Sequence, residues 1–169
     1  MIQTFTGKFV NPLNLKMEDI DIREIAHCLS QLCRFTGHTN TFYSVAEHSL
    51  YVSYLLPDEW KLAGLLHDAS EAYLCDLASP VKRAITGYKI HEEQAQDKIY
   101  RKFGINYVDH RRIKVVDNVV LYHEAMKLFN EDFGYFDKYK NDIPVNIQVY
   151  SPKVVEYKFL KQFERLYNG

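Results

Sequence analysis

The sequence predicts an all-α, single-domain helical bundle preceded by an irregular N-terminal arm. Three observations predict it. Apolar residues recur at helical spacing in one segment after another from residue 21 onward. Helix-start chemistry precedes several of those segments. The chain has 169 residues and carries no internal repeat, low-complexity tract or Gly/Ser linker, so one core in one domain spanning 1–169 accounts for it.

The first nineteen residues read as an irregular or extended arm. Asp21 and Glu24 then make a capping-box-like start, followed by Ile22, Ile25, Ala26, Leu29 and Leu32 at helical spacing. Gly37 and the polar run from His38 to Thr41 form a loop. Ser44 and Glu47 open a second helix, which stops before Pro57. Asp58 caps a third, carrying Trp60, Ala63, Leu66, Ala69 and Ala72 and ending near Asp76, before Pro80. A fourth runs from about Tyr88 to Phe103, with Gly104 where a glycine ends a helix. The fifth starts near Asp109 and passes through Ile113, Val116, Val120 and Leu121 towards Phe129. Residues 130–150, rich in Tyr, Phe, Asp and Asn, read as a long loop in which Val145 to Tyr150 has extended character. Ser151 and Pro152 supply N-cap and N1 of a last helix with Val155, Phe159 and Phe163 on one face.

Composition limits the function. Apolar residues make up 47% and charged residues 25%, and net charge is −1. No positive excess exists to hold duplex nucleic acid, whereas a small charged ligand needs only a few local cations. No apolar run reaches membrane-spanning length, and the N-terminal segment lacks the apolar stretch of a signal peptide. Three cysteines, Cys28, Cys33 and Cys75, with no C-x-x-C pair read as reduced thiols of a cytoplasmic protein.

The strongest chemical signal is the adjacent pair His67-Asp68 in LAGLLHDASEAY. A carboxylate and an imidazole after an apolar helical run cost several kcal/mol to bury without partners. A divalent cation is the simplest partner for both; a surface pair on the polar face is the alternative. His48, on the preceding helix, shares an apolar stripe with Val45 and Val52. A short connection makes the two helices antiparallel neighbours, which can bring His48 beside His67. Asp117 falls in the stripe of Ile113, Val116, Val120 and Leu121, out of place unless something positive meets it. A metal is one such group and an arginine such as Arg34 another. Neutral imidazole with ionised carboxylate suits one divalent transition-metal ion, Mn²⁺, Co²⁺, Zn²⁺ or Fe²⁺, in preference to Mg²⁺.

The order His48, His67-Asp68, Asp117 resembles the H…HD…D signature of HD-domain phosphohydrolases. The flanking segments S-V-A-E-H-S at 44–49 and L-L-H-D-A-S-E-A-Y at 65–73 are similar to those of small bacterial 5′-deoxynucleotidases and related phage deoxynucleoside triphosphohydrolases. The resemblance covers about 22–128, and its extended form H-D-x-x-E-x-x-x-x-D runs from His67 to Asp76. It implies an HD-domain bundle, and catalytic roles for Glu71 beside an attacking water and Asp76 at the sugar end of a substrate. It also implies phosphate binding by Arg34 and Lys82, with Phe35 as the aromatic neighbour of Arg34 where the bacterial deoxynucleotidases have Trp. The other five histidines, His27, His38, His91, His110 and His123, read as structural or exposed, with His38 the one to watch because its loop precedes the active-site helix.

The resemblance therefore implies hydrolysis at the sugar-linked phosphorus of a small-molecule nucleotide. The first expectation is a 5′-nucleotidase acting on deoxynucleoside monophosphates. The alternative is a triphosphohydrolase releasing triphosphate from a dATP-like substrate. A non-catalytic nucleotide-binding domain and a di-iron oxygenase lie further off, disfavoured by the intact Glu71 and Asp76 and by the absence of a second H-D pair. Further implied expectations are a homo-oligomer, dimer or larger, and a bacterial or phage-infected host cytosol.

Overall fold

A computed structural model describes residues 1–131 and 134–168. The fold is an all-α single domain with a two-stranded antiparallel hairpin in its arm, β1 (Ile2–Gln3) paired with β2 (Phe9–Val10). Eight helices follow among the described residues: α1 (Ile22–Gln31), α2 (Val45–Leu55), α3 (Asp58–Leu65), α4 (Glu71–Leu74), α5 (Ser79–Ala84), α6 (Tyr88–Lys102), α7 (His110–Leu128) and α8 (Pro152–Tyr167).

Three of the predicted helix starts are capped by the side chains expected there. Asp21 accepts from Arg23 N–H, Ser44 from Glu47 N–H and Asp109 from Arg112 N–H, each satisfying a donor that the first helical turn leaves free. Pro152 opens α8, where its fixed φ and missing N–H cost nothing. Gly104 has φ +76° directly after α6, a conformation that a side chain disfavours. The Glu24 and Glu47 side chains leave their own helix starts. Glu24 is buried and accepts from Thr4, Thr6 and Tyr73, which ties the arm to the bundle. Glu47 accepts from the Tyr150 N–H.

α2 is the central helix. Val45, Ala46, His48, Leu50 and Val52 are all buried, because α1, α3, α7 and α8 pack around it. Gly64 lets α3 approach the end of α2 closely: a Cβ there would lie 2.2 Å from Leu56 Cδ1. The core extends through Ile25 and Leu29 of α1, Val120 and Leu128 of α7, and Val155 and Phe159 of α8.

Four features differ from the reading of the sequence. The third helix, expected to continue from Asp58 to about Asp76, breaks after Leu65 and resumes as the single turn α4. Gln96 of α6 holds the break: its Nε2 donates to Leu66 O at 2.7 Å and its Oε1 accepts from Ser70 N–H at 3.0 Å. Those contacts satisfy backbone groups that an unbroken helix would have paired. Asp58 lies in the first turn of α3 rather than capping it. α5 was not expected, and Pro80 stands at its start rather than ending an element. Val145 to Tyr150 forms no strand. Residues 132 and 133 of the predicted 130–150 loop lie outside the described residues. No described helix is long and apolar enough to cross a membrane, and Cys28, Cys33 and Cys75 are free.

Candidate metal centre

Three pieces of chain deliver the polar groups to one place. α2 brings His48, the broken turn at 66–70 brings His67 and Asp68, and α7 brings Asp117. One ligand atom from each of His48, His67 and Asp117 lies within 4.8 Å of the others. Asp68 stands beside them, with Oδ2 3.2 Å from His67 Nε2 and 3.9 Å from His48 Nε2. The Asp117 Oδ1 is 3.2 Å from His48 Nε2.

The donors fit a cation. Both histidine Nε2 atoms are buried without a hydrogen-bond partner, although their Nδ1 atoms are engaged. His67 Nδ1 lies 2.8 Å from Gly64 O, and His48 Nδ1 lies 2.7 Å from Glu124 Oε1. A carbonyl or a carboxylate at Nδ1 takes the ring proton there and leaves the Nε2 lone pair free for a metal. Burial would raise the carboxyls of Asp68 and Asp117, but the two histidines outweigh it and hold both below the ordinary carboxylate value. Burial and Arg34 would lower His48, but Glu124 and Asp117 prevail and push it up to about 9 without a metal. The cluster thus concentrates negative charge around two imidazoles, which is the electrostatic demand of a divalent ion.

Glu71 is 6% exposed, and its Oε2 has no partner. Burial, reinforced by Asp68 and Asp76, pushes its carboxyl well above the ordinary value. Asp76 is half-buried and also raised, first by burial and then by Asp68, against the pull of Arg34 and Lys82. Lys82 of α5 lies 3.6 Å from Glu71 Oε1 and forms a hydrogen bond to Glu92 of α6.

Arg34 reaches the centre through a closed loop. Its N–H donates to Tyr43 O at 2.9 Å and Val45 N–H donates to Leu32 O at 3.0 Å, which pinches the segment between α1 and α2. The guanidinium is tied to Glu124 by Nε and Nη2, each 3.1 Å from Oε2, and its Nη1 is 3.9 Å from Asp68 Oδ2. Phe35 and Thr36 both have φ +54°, and Cys75, beside Asp76, has φ +67°. These are the non-glycine residues with positive φ among the described residues, and all flank candidate site residues. Such conformations cost about 1–3 kcal/mol and persist where surrounding structure enforces them. The Phe35 ring packs edge-on against Phe129 and Phe136, with Arg34 5.3 Å from its centroid.

A groove of about 990 Å³ opens from the cluster. His67, Asp68, Lys82 and Asp117 line it together with Lys89, Tyr107, His110 and Lys114, and Lys114 Nζ lies 2.6 Å from Asp117 Oδ2. Arg34, Phe35, Glu71 and Asp76 do not line it. His38 is exposed, His27 stacks on Phe5, and His91, His110 and His123 do not join the cluster.

Two site residues escaped the sequence reading. Glu124 continues the stripe of Asp117 and Val120 by one more turn, so extending the pattern would have found it. Glu92 carries no such signal, because only the fold-back between α5 and α6 sets it beside Lys82.

No family model matches the chain. Two relatives align with most of it, both of uncharacterized function. One is YfdR of Escherichia coli (strain K12), 38% identical across 80% of this chain and 76% of that protein. The other is RCAP_rcc00048 of Rhodobacter capsulatus, 36% identical across 73% of this chain and 70% of that protein. At that identity and coverage, the chain belongs to the protein family that includes YfdR.

Proposed function

We propose that the protein is a metal-dependent nucleotide phosphohydrolase of the HD superfamily, acting at the sugar-linked phosphorus. One observation carries the reading: two buried histidine Nε2 atoms without hydrogen-bond partners converge with Asp117, beside Asp68 and a buried, unpaired Glu71 oxygen. Such a donor set suits Mn²⁺, Co²⁺, Zn²⁺ or Fe²⁺, whereas Mg²⁺ prefers oxygen ligands alone. Once bound by His48, His67, Asp68 and Asp117, a divalent ion supplies Lewis acidity towards a phosphoryl oxygen and lowers the pKa of a water.

The chain's own residues do the rest. Glu71 orients the attacking water and takes its proton, a task that suits a carboxyl whose pKa is raised by burial. Arg34 and Lys82 offset the negative charge that phosphate brings. Lys82 must loosen its hold on Glu92 to do so. Asp76 accepts from a sugar hydroxyl, and Phe35 flanks Arg34. The nucleotide as substrate, its deoxy sugar, a homo-oligomeric state and a cytoplasmic setting rest on the resemblance of the motif segments.

A deoxynucleoside monophosphate is the first substrate. The groove favours a second reading, because it has room for phosphates beyond the first and Lys89 and Lys114 line it, although Lys114 must release Asp117 Oδ2, 2.6 Å away, and Lys89 must release Glu93 to meet them. Chromatography of products from dAMP and dATP, with Mn²⁺, Co²⁺, Zn²⁺ and Mg²⁺ in turn, tests both. The expected products are nucleoside with phosphate, or nucleoside with triphosphate. Accumulation of dADP from dATP would overturn attack at the sugar-linked phosphorus. Glu71→Ala should keep its metal but turn over roughly 10²–10⁴-fold more slowly; near-normal turnover would remove Glu71 from its role.

A further inference from the structure

We infer that Glu124 is a positioning residue that serves the metal-ligating histidine and the phosphate-binding arginine at once. The inference rests on the metal-dependent reading above and deepens it. Glu124 lies on α7 two turns beyond Asp117, so both carboxylates point from one helix face into the same interior. It is fully buried, and each of its oxygens has a separate task. Oε1 accepts from His48 Nδ1 at 2.7 Å. Oε2 accepts from Arg34 Nε at 3.1 Å and pairs with Nη2 at 3.1 Å.

Each contact dictates something at the site. Oε2 faces the Arg34 guanidinium, which carries only donors, so Glu124 meets it as a carboxylate. An ionised carboxylate only accepts, so the ring proton of His48 stays on Nδ1 and the Nε2 lone pair is presented to the metal position. His67 obtains the same service from Gly64 O, a backbone atom that no side-chain change removes. His48 depends on Glu124 for it. On the other oxygen, Glu124 holds two of the three guanidinium nitrogens. Nη1, 3.9 Å from Asp68 Oδ2, remains the nitrogen directed at the centre. One carboxylate therefore fixes a ligand's tautomer and aims a phosphate donor.

A merely structural role would tie α1, α2 and α7 together without touching metal or phosphate binding, and the two are separable. The full chain is compared as wild type, Glu124→Ala, Glu124→Gln and Arg34→Ala. Co²⁺ is titrated by its visible absorption bands, and inorganic phosphate is then titrated into the Co²⁺-loaded proteins. Glu124→Ala should weaken Co²⁺ binding about 10–100-fold, the usual cost of removing a partner of a ligating histidine, and should weaken phosphate binding as well. Glutamine keeps one accepting oxygen for His48 but offers Arg34 no charge. Glu124→Gln should therefore restore the Co²⁺ bands and most of the Co²⁺ affinity, while phosphate stays as weak as in Arg34→Ala. Arg34→Ala should leave Co²⁺ affinity near wild type.

Wild-type Co²⁺ and phosphate binding in Glu124→Ala would overturn the inference while leaving the metal reading intact. A folded Glu124→Gln that loses Co²⁺ as fully as Glu124→Ala would overturn the hydrogen-bond role. If the alanine variant does not fold, the contrast between Glu124→Gln and Arg34→Ala decides. Absence of Co²⁺ bands in the wild type would overturn the metal reading and this inference with it.

Discussion

Glu47 precedes His48 on α2, yet it serves another neighbourhood. Its Oε1 accepts from Tyr150 N–H, and its Oε2 is buried without a partner. Burial raises its carboxyl from 4.5 to about 7, against the opposing influence of that N–H and of Lys158. The native state therefore holds a proton that the unfolded chain has already released. Stability should fall as pH rises from about 4.5 to about 7 and stay reduced above it. Glu47→Gln keeps the acceptor for Tyr150 and removes the charge. Melting curves with chelator present should nearly coincide for variant and wild type at pH 5. At pH 8 the variant should be more stable by roughly 1–2 kcal/mol. A variant less stable than wild type at pH 8 would count against a buried, unpaired carboxylate there. Residues were legible in the sequence where a polar group broke an apolar pattern: His48, His67, Asp68 and Asp117 each do so. Glu92 breaks none, and its place depends on a partner brought by tertiary structure.

At the level of elements, the helix starts and ends were legible because capping is local chemistry: Asp21, Ser44, Asp109 and Gly104 act within a few residues of themselves. The break at 66–70 was not legible, because Gln96 comes from α6, 26 residues from Ser70. Yet that break orients His67 and Asp68, and α3 sets where it falls. Gly64 presses α3 against Leu56, while its own carbonyl lies 2.8 Å from His67 Nδ1. Gly64→Ala introduces a Cβ that would lie 2.2 Å from Leu56 Cδ1, inside a packed core. α3 must shift from α2, and the carbonyl moves with it. The variant should lose roughly 1–3 kcal/mol of stability and bind Co²⁺ more weakly, whereas Leu56→Ala added to Gly64→Ala should recover part of the metal affinity by making room. Metal affinity unchanged in folded Gly64→Ala would separate helix packing from the centre. Helix propensity alone favours Ala over Gly by about 1 kcal/mol, so a net loss identifies the close approach as the dominant effect.

Across the whole molecule, the candidate ligands come from α2, the 66–70 turn and α7, elements that the chain order keeps well apart. The unfolded chain cannot assemble them, so an ion that binds there binds the native state selectively. Its binding free energy then adds to folding stability as RT ln(1 + [L]/Kd), about 2.7 kcal/mol at free metal one hundred times Kd. For a chain of this length that corresponds to a rise in Tm on the order of 5–10 °C. The rise should grow with Co²⁺ or Mn²⁺ concentration and vanish with chelator. It should be small with Mg²⁺, because two imidazoles suit it poorly. His48→Ala, Asp68→Ala and Asp117→Ala should each abolish most of the shift, even where the metal-free variants melt near wild type. Glu71→Ala should retain it, because Glu71 handles water rather than the ion. Ions held at scattered surface carboxylates would instead give a weak shift that no single ligand substitution removes. A Tm insensitive to Co²⁺, Mn²⁺, Zn²⁺ and Fe²⁺ alike would mean that the two buried histidine Nε2 atoms face only Asp117 and Asp68 at 3.2 Å, with no ion between them, and would remove the basis for placing catalysis at this cluster.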